Sequence, residues 1–412
     1  MTLIDGMARR AVEARLRRLS EGRLTIREGG NITVYGSGDG PSATLTIHDS
    51  GFYAALAFGG HLGAAESYIS GGWDTDDLTA LVQLLVRNRD VLDSLETGLA
   101  RLVQPARALL HAINRNTKRG SKRNIVAHYD LGNALFEAFL DETMTYSAGI
   151  FPTPEASMRD ASIEKYDRLC RKLELTSADH VLEIGTGWGG FAIHAASTYG
   201  CRVTTTTISN EQYALAQSRV EAAGLSHLIT LLQDDYRDLE GTYDKLVSIE
   251  MIEAVGHQYF DEYFRQCARL LSADGLAAIQ AITIQDRMYE SARKEVDFIK
   301  KYIFPGSCIP AVSVLASAAA PTDLRLVHLE DITPHYAETL RRWKSRFHAN
   351  WGEIAAHGYG EDFRRMWDFY LSYCEGGFNE AVIGSVQLVF AKPRASAALA
   401  GGVVRRLETI AS

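Results

Sequence analysis

The stretch Val181-Leu182-Glu183-Ile184-Gly185-Thr186-Gly187-Trp188-Gly189-Gly190 decides the fold. A short apolar run carrying one acid passes directly into four glycines, the pattern of a buried strand feeding a ligand-binding loop. Gly185, Gly187 and Gly190 satisfy the dinucleotide spacing GxGxxG, so spacing alone leaves the ligand open. Outward from the loop the plan repeats. The helix SIEKYDRLCRKLEL precedes it; helix FAIHAASTYG, strand RVTTTTI, helix NEQYALAQSRVEAAG and strands LITLLQ and KLVSIE follow. Strands and helices alternating at these lengths predict an α/β, doubly wound, Rossmann-like parallel sheet.

Neighbouring residues narrow the ligand. A dinucleotide site needs an acid about twenty residues past the loop to hold the ribose, and that place reads Thr205, Thr206, Thr207. The acid instead precedes the loop: Glu183 ends the first strand two positions before Gly185, where a carboxylate offsets a cationic ligand. That favours S-adenosylmethionine, with Asp235 and Tyr236 after the third strand placed to bracket its adenine.

The chain has 412 residues, 46% hydrophobic and 23% charged, enough for two or three domains. Its five cysteines lie far apart with no CxxC pair, which indicates neither a disulfide framework nor a zinc site. No metal and no nucleic acid is expected. The net charge of −8 is unevenly placed: residues 1–124 hold 16 Lys+Arg against 13 Asp+Glu, and seven basic residues between Arg101 and Arg123 meet no acid. Such a run suits anionic headgroups, each basic side chain contributing about 1 kcal/mol near a charged surface. The opening sequence lacks a signal-peptide core and no eighteen apolar residues run together, so a cytoplasmic protein, peripheral to the inner membrane face, is expected. A basic helix over residues 7–19, two alternating segments (LTIREGGNITVY and ATLTIHDS) and a helical stretch capped within Asp74 to Asp77 predict a smaller N-terminal α+β domain. The boundaries read as 1–113 for that domain, 114–124 for a basic linker, 125–392 for the catalytic domain and 393–412 for a tail.

Four segments then carry a resemblance: HYDLGNALFEAFLDETMTYSAGIF, VLEIGTGWGG, SIEMIEAVGHQYFDEYF and DFIKKYIFPGSCIP. In this order they resemble the cyclopropane-fatty-acyl-phospholipid synthases, a family that includes the mycolic acid cyclopropane synthases. Residues 50–95 also resemble the N-terminal domain of the bacterial phospholipid enzymes. The resemblance implies a seven-stranded methyltransferase sheet, and one-carbon transfer from S-adenosylmethionine to the double bond of an unsaturated phospholipid acyl chain. It implies a cyclopropane product, formed through a carbocation that a bound bicarbonate deprotonates. A homodimer is left open.

Carried over by position, the bicarbonate pocket comprises Glu253, Gln280, Tyr336 and the backbone at Ile282 and Ala148. Ala148 and Gln280 stand where the best-known members have Cys and His. The cofactor set comprises Tyr129, Tyr146, Ser147, Glu183, Gly185, Gly187, Gly189, Thr207, Ile208, Gln212, Asp235 and Tyr236. Phe304, Pro305 and Trp343 are equally suited to an acyl channel and to core packing.

Three other outcomes stay open. A hydride shift before proton loss gives a methylene- or methyl-branched chain instead of a ring. A small-molecule methyltransferase needs no basic front domain, and a non-catalytic lipid-binding protein needs no intact carboxylates. A nicotinamide dehydrogenase fits worst.

Overall fold

The structure, a computed structural model, describes residues 3–91 and 131–395. The basic run 101–123, the linker 114–124, Tyr129 and residues 396–412 of the tail lie outside the described residues. The chain divides into two compact units: Met1–Asn114 with Lys294–Pro305 and Ala337–Ile383, and Arg115–Arg293 with Gly306–Tyr336 and Gly384–Ser412.

The first unit opens with α1 (Leu3–Leu16), somewhat earlier than the helix expected over 7–19, then β1 (Arg23–Glu28), β2 (Asn31–Tyr35) and β3 (Ser42–Ile47). After α2 (Gly51–Ile69), β4 (Trp73–Thr75) completes a four-stranded sheet of order β2-β1-β3-β4. The next helix, α3 (Leu78–Arg87), begins where the Asp77 carboxylate accepts the Ala80 N–H at 2.9 Å, the cap expected of the acidic turn.

Within the stretch 125–392, Lys294–Pro305 and Ala337–Ile383 group with the first unit. Glu361–Asn379 forms a long helix whose buried face (Trp367, Phe369, Tyr370, Leu371) packs with α2 and α3. Tyr68 donates to Asp368 at 2.8 Å and Thr79 to Glu375 at 3.1 Å. An amphipathic face is covered by whichever surface complements it, and sequence proximity does not choose that surface. Trp343 is fully buried in this same unit.

The second unit carries α4 (Asn133–Phe139), α5 (Met158–Lys172), β5 (His180–Ile184), α6 (Gly190–Tyr199), β6 (Arg202–Thr206), α7 (Asn210–Ala222), β7 (Ile229–Leu232), β8 (Tyr243–Ile249), α8 (Phe260–Leu270) and β9 (Leu271–Ile284). With β10 (Arg325–Asp331) and β11 (Ile383–Ala391) these strands make a seven-stranded sheet of order β10-β11-β9-β8-β5-β6-β7. β5 pairs parallel with β6 and β8, and β8 with β9, while β10 and β11 pair antiparallel. The expected doubly wound sheet is present, with the antiparallel pair added at one edge.

Alternate residues of β5 face opposite cores. Leu182 and Ile184 join Phe264 and Cys267 of α8, and Val181 joins Leu169 of α5 and Phe191 of α6. Glu183 shares the face of Val181 and is the one acid in an otherwise apolar buried strand. Strand order reverses between β5 and β8, and in such sheets ligands bind at the carboxyl ends of the strands flanking the reversal.

Candidate active site

The glycine loop leaves β5 at this switch point. Gly185, Gly187 and Gly189 have φ of 101°, 53° and 85°, a region costly for side chains bearing a Cβ. Among the described residues, a Cβ added at Gly187 would meet nothing within 4 Å, so none of them closes the loop above that residue. Gly190 differs: a Cβ there would lie 2.4 Å from the Tyr166 hydroxyl, so it serves close packing of α6. The Gly185 and Thr186 amides both donate to the Thr206 carbonyl, fastening the loop to β6.

Glu183 is buried. Thr205 Oγ1 donates to its Oε2 at 2.6 Å, and Thr186 Oγ1 lies 2.7 Å from that hydroxyl. Burial dominates and pushes the carboxyl up to about 8, with the Thr205 bond and the Lys165 charge opposing. Thr207 Oγ1 donates to Gln212 Oε1 at 2.9 Å, and Ser209 caps α7 by accepting the Gln212 amide. Ile208 lies between them, partly buried.

Asp235 and Tyr236 follow β7 as expected, with a twist the sequence did not disclose. Arg237 grips Asp235, its NH2 donating to Oδ2 at 2.6 Å and its Nε to Oδ1 at 2.8 Å, and its guanidinium sits over the Tyr236 ring at 5.6 Å. The Tyr236 ring packs edge-on against Tyr263, its hydroxyl buried and without a hydrogen-bond partner among the described residues. Tyr146 lies edge-on to Phe136, and Ser147 accepts from the Lys165 ammonium at 2.8 Å.

The remaining residues converge on a carboxylate that sequence reasoning passed over. Glu250 stands just beyond β8, its backbone in the left-handed region at φ 50° and its amide donating to the Gln280 carbonyl at 2.8 Å. Its Oε1 accepts the Ala148 N–H at 3.0 Å and Gln280 Nε2 at 2.8 Å, and its Oε2 accepts the Tyr336 hydroxyl at 2.7 Å. Burial raises this carboxyl, opposed in turn by Gln280, Tyr336, Ala148 and Lys165. The Gln280 amide is oriented from behind: its Oε1 accepts Gln387 Nε2 at 2.9 Å, and Gln387 Oε1 accepts Lys172 Nζ at 2.6 Å. That leaves the Gln280 amide nitrogen facing Glu250.

Glu253, on a short 3-10 turn, receives the Ile282 N–H on Oε1 at 2.5 Å, while its Oε2 is buried without a partner among the described residues. Burial, then the Glu250 charge, pushes it up to about 8. Lys165 is fully buried, and desolvation lowers it to about 8 against the pull of Glu250, Asp141 and Glu183. Glu250, Asp141 and Glu183 thus share one buried ammonium.

The mycolic acid cyclopropane synthetase model matches residues 116–388. The chain belongs to that family. It is 38% identical over 374 residues to tuberculostearic acid methyltransferase UfaA1 of Mycobacterium tuberculosis, covering 89% of this chain and 86% of that protein. It is 35% identical over 353 residues to cyclopropane-fatty-acyl-phospholipid synthase of Escherichia coli, covering 85% and 88%. Mycolic acid cyclopropane synthase CmaA1, solved with SAH and CTAB, superposes with a TM-score of 0.63 at 29% identity, over 66% of this chain and 98% of that one. This member of the cyclopropane synthetase family is therefore an S-adenosylmethionine-dependent lipid methyltransferase. Among its described residues no helix is long and apolar enough to cross a membrane.

Of the residues sequence reasoning assigned to this family's chemistry, the fold brings Ala148, Gln280 and Tyr336 onto Glu250, and Ile282 onto Glu253. Glu250, Lys165 and Arg237 were missed. One signal was legible for Glu250: it is the first residue past a strand adjoining the switch point.

Proposed function

We propose that the protein adds a one-carbon unit to the double bond of an unsaturated fatty acyl chain carried by a phospholipid, through a carbocation that a carboxylate at the β8 end stabilises and deprotonates. The observation that carries this reading is the cluster of Glu183, Glu250 and Glu253 at the carboxyl ends of β5 and β8, beside a glycine loop open at Gly187.

The loop suits S-adenosylmethionine: Gly187 leaves room where a side chain would intrude, and Glu183 sets an acid behind a cationic ligand. Gly185, Gly187, Gly189 and Glu183 would hold its amino-acid portion; Thr207, Ile208, Gln212, Asp235 and Tyr236 its adenosine; Tyr146 and Ser147 would cover it. The bound donor supplies an electrophilic methyl group on a sulfonium. Everything else falls to the chain. An alkene is a weak nucleophile, so rate must come from orientation and dry surroundings. The negative charge of Glu250 stabilises developing positive charge on the lipid.

A bound bicarbonate fits this site poorly. The Ala148, Gln280 and Tyr336 donors all bond Glu250, and the Ile282 amide bonds Glu253, so a second anion would enter beside two carboxyls with these donors already engaged. The ring product and the methylene-branched product share the cation and both lose a proton from the transferred methyl group; a hydride shift before that loss gives the branched one. The likeness to a tuberculostearic acid methyltransferase favours a methylene- or methyl-branched chain as the second reading. Peripheral contact with anionic membrane, through the basic run 101–123, completes the proposal.

The test supplies methyl-deuterated S-adenosylmethionine and vesicles of monounsaturated phospholipid, then analyses the released acyl chains by mass and NMR. Acyl chains heavier by one CD2 unit are expected, with deuterium NMR signals at ring or methylidene positions; acyl chains of unchanged mass would refute the function.

A further inference from the structure

We propose that Glu250 is the resident base of this enzyme, its carboxylate standing where a bicarbonate ion would otherwise sit and taking the proton that ends the reaction. This rests on the olefin-alkylating reading above and deepens it.

The argument is one of donors and shape. A carboxylate and a bicarbonate share a planar O–C–O group with one negative charge, so one set of donors serves either. Here that set is a peptide N–H, a side-chain amide and a phenol, and all three are directed at Glu250 within 2.7–3.0 Å. The donors come from three separated places: the loop at Ala148, strand β9 at Gln280 and the helix turn at Tyr336. The convergence is therefore tertiary, unlike a local cap.

The backbone at Glu250 adds a second mark. A left-handed φ of 50° at a residue bearing a Cβ carries strain of about 1 kcal/mol, which persists where surrounding structure holds it. Here it is held by the Glu250 amide on the Gln280 carbonyl and by the side-chain bonds returning to the same residue. Gln280 in turn is locked by Gln387 and Lys172, so the slot is preorganised from behind.

The oxygens are inequivalent. Among the described residues Oε1 takes two N–H donors and Oε2 takes one hydroxyl, which leaves Oε2 with the open lone pair. In the step assigned to it, Oε2 forms an O–H bond as a C–H bond of the alkylated chain breaks. The C–H electron pair moves to the cationic carbon and closes either the ring bond or, after a hydride shift, the exocyclic double bond. Cation and carboxylate become neutral lipid and neutral acid, and the acid returns its proton to water at product release. A carboxylate is also a weak nucleophile, suited to survive beside an alkylating donor. The charged and titratable groups around it are Lys165, Glu253 and Tyr336.

The full-length protein is assayed with S-adenosylmethionine and monounsaturated phospholipid vesicles in carbonate-free buffer, with and without millimolar bicarbonate. The wild-type rate should be the same in both. Glu250→Gln should lose about 10²-fold or more, the usual worth of a general base. Glu250→Gly, which empties the slot, should be equally slow but regain rate saturably on adding bicarbonate, a rescue that a merely structural residue would not show. Thermal melting and SAH affinity show that the variants fold. A wild type that stalls without bicarbonate, or a Glu250→Gln variant at full rate, overturns the proposal. If neither variant folds, the wild-type comparison alone decides. A wild type that leaves every lipid unaltered sinks the functional reading as well.

Discussion

The hydroxyl of Tyr336 donates to Oε2 of Glu250 at 2.7 Å, joining the first turn of one helix to a carboxylate just past β8. That bond favours the ionised form of Glu250. Removing it with Tyr336→Phe raises the Glu250 carboxyl further, and a base acts only when deprotonated. The acid limb of the kcat–pH profile should therefore move to higher pH, with kcat at neutral pH falling about tenfold, as for loss of a hydrogen bond to a charged group. An unmoved limb would detach Tyr336 from the base.

Glu253 makes an opposite prediction, on stability. Its folded pKa near 8 exceeds its ordinary value of 4.5, so the unfolded chain ionises first and burial of Glu253 destabilises the fold progressively between those values. Glu253→Gln removes this penalty while keeping an acceptor for the Ile282 amide. Its gain in unfolding free energy over wild type should be absent at pH 4, grow towards pH 8 at up to about 1.4 kcal/mol per unit, and then level off. Melting curves across that range test it.

For Glu183 the readout is binding. A cationic ligand beside a carboxyl that titrates near 8 stabilises its ionised form, so binding expels a proton. Calorimetric affinity for S-adenosylmethionine should tighten as pH rises from 6 to about 8. In Glu183→Gln that dependence should vanish and affinity should drop by about tenfold or more. Equal slopes in the two proteins would remove Glu183 from the cofactor's surroundings.

Two glycines of the same loop should fail differently. Gly187→Ala meets no neighbour, so it should lose about 1 kcal/mol to backbone strain and weaken cofactor binding. Gly190→Ala would put a methyl 2.4 Å from the Tyr166 hydroxyl and 2.9 Å from the Thr143 carbonyl, so it should lower Tm severely. Parallel melting and SAH titration of the pair separates the two effects.

Gln280→Leu cuts the chain Lys172–Gln387–Gln280–Glu250 in the middle. It strands the Gln387 amide in the core, so stability should fall by about 1–3 kcal/mol in denaturant titrations. The loss of one donor to Glu250 should also shift the acid limb in the same direction as Tyr336→Phe.

Much of this site was legible before the fold was known. The apolar run with one acid, the glycines needing positive φ and the threonines of β6 are local signals, and each residue lies where its pattern places it. Glu250 was not legible in that way. SIEMIE offers two acids three residues apart, and the family comparison draws the eye to the second. Arg237 was hidden similarly, since nothing local says that it, and not a ligand, holds Asp235.

The sequence by itself determined the alternating strands and helices, the glycine loop after β5, and the acid that precedes it. These depend on periodicity and backbone freedom, which a few consecutive residues express. Only the tertiary structure decided what the polar donors of the site hold. Ala148 and Glu250 are 102 residues apart and Tyr336 and Glu250 are 86, and such distances are closed by the sheet that packs between them. The return of Glu361–Asn379 to the N-terminal unit was decided the same way, because an apolar face seeks the largest complementary surface wherever the chain has placed it.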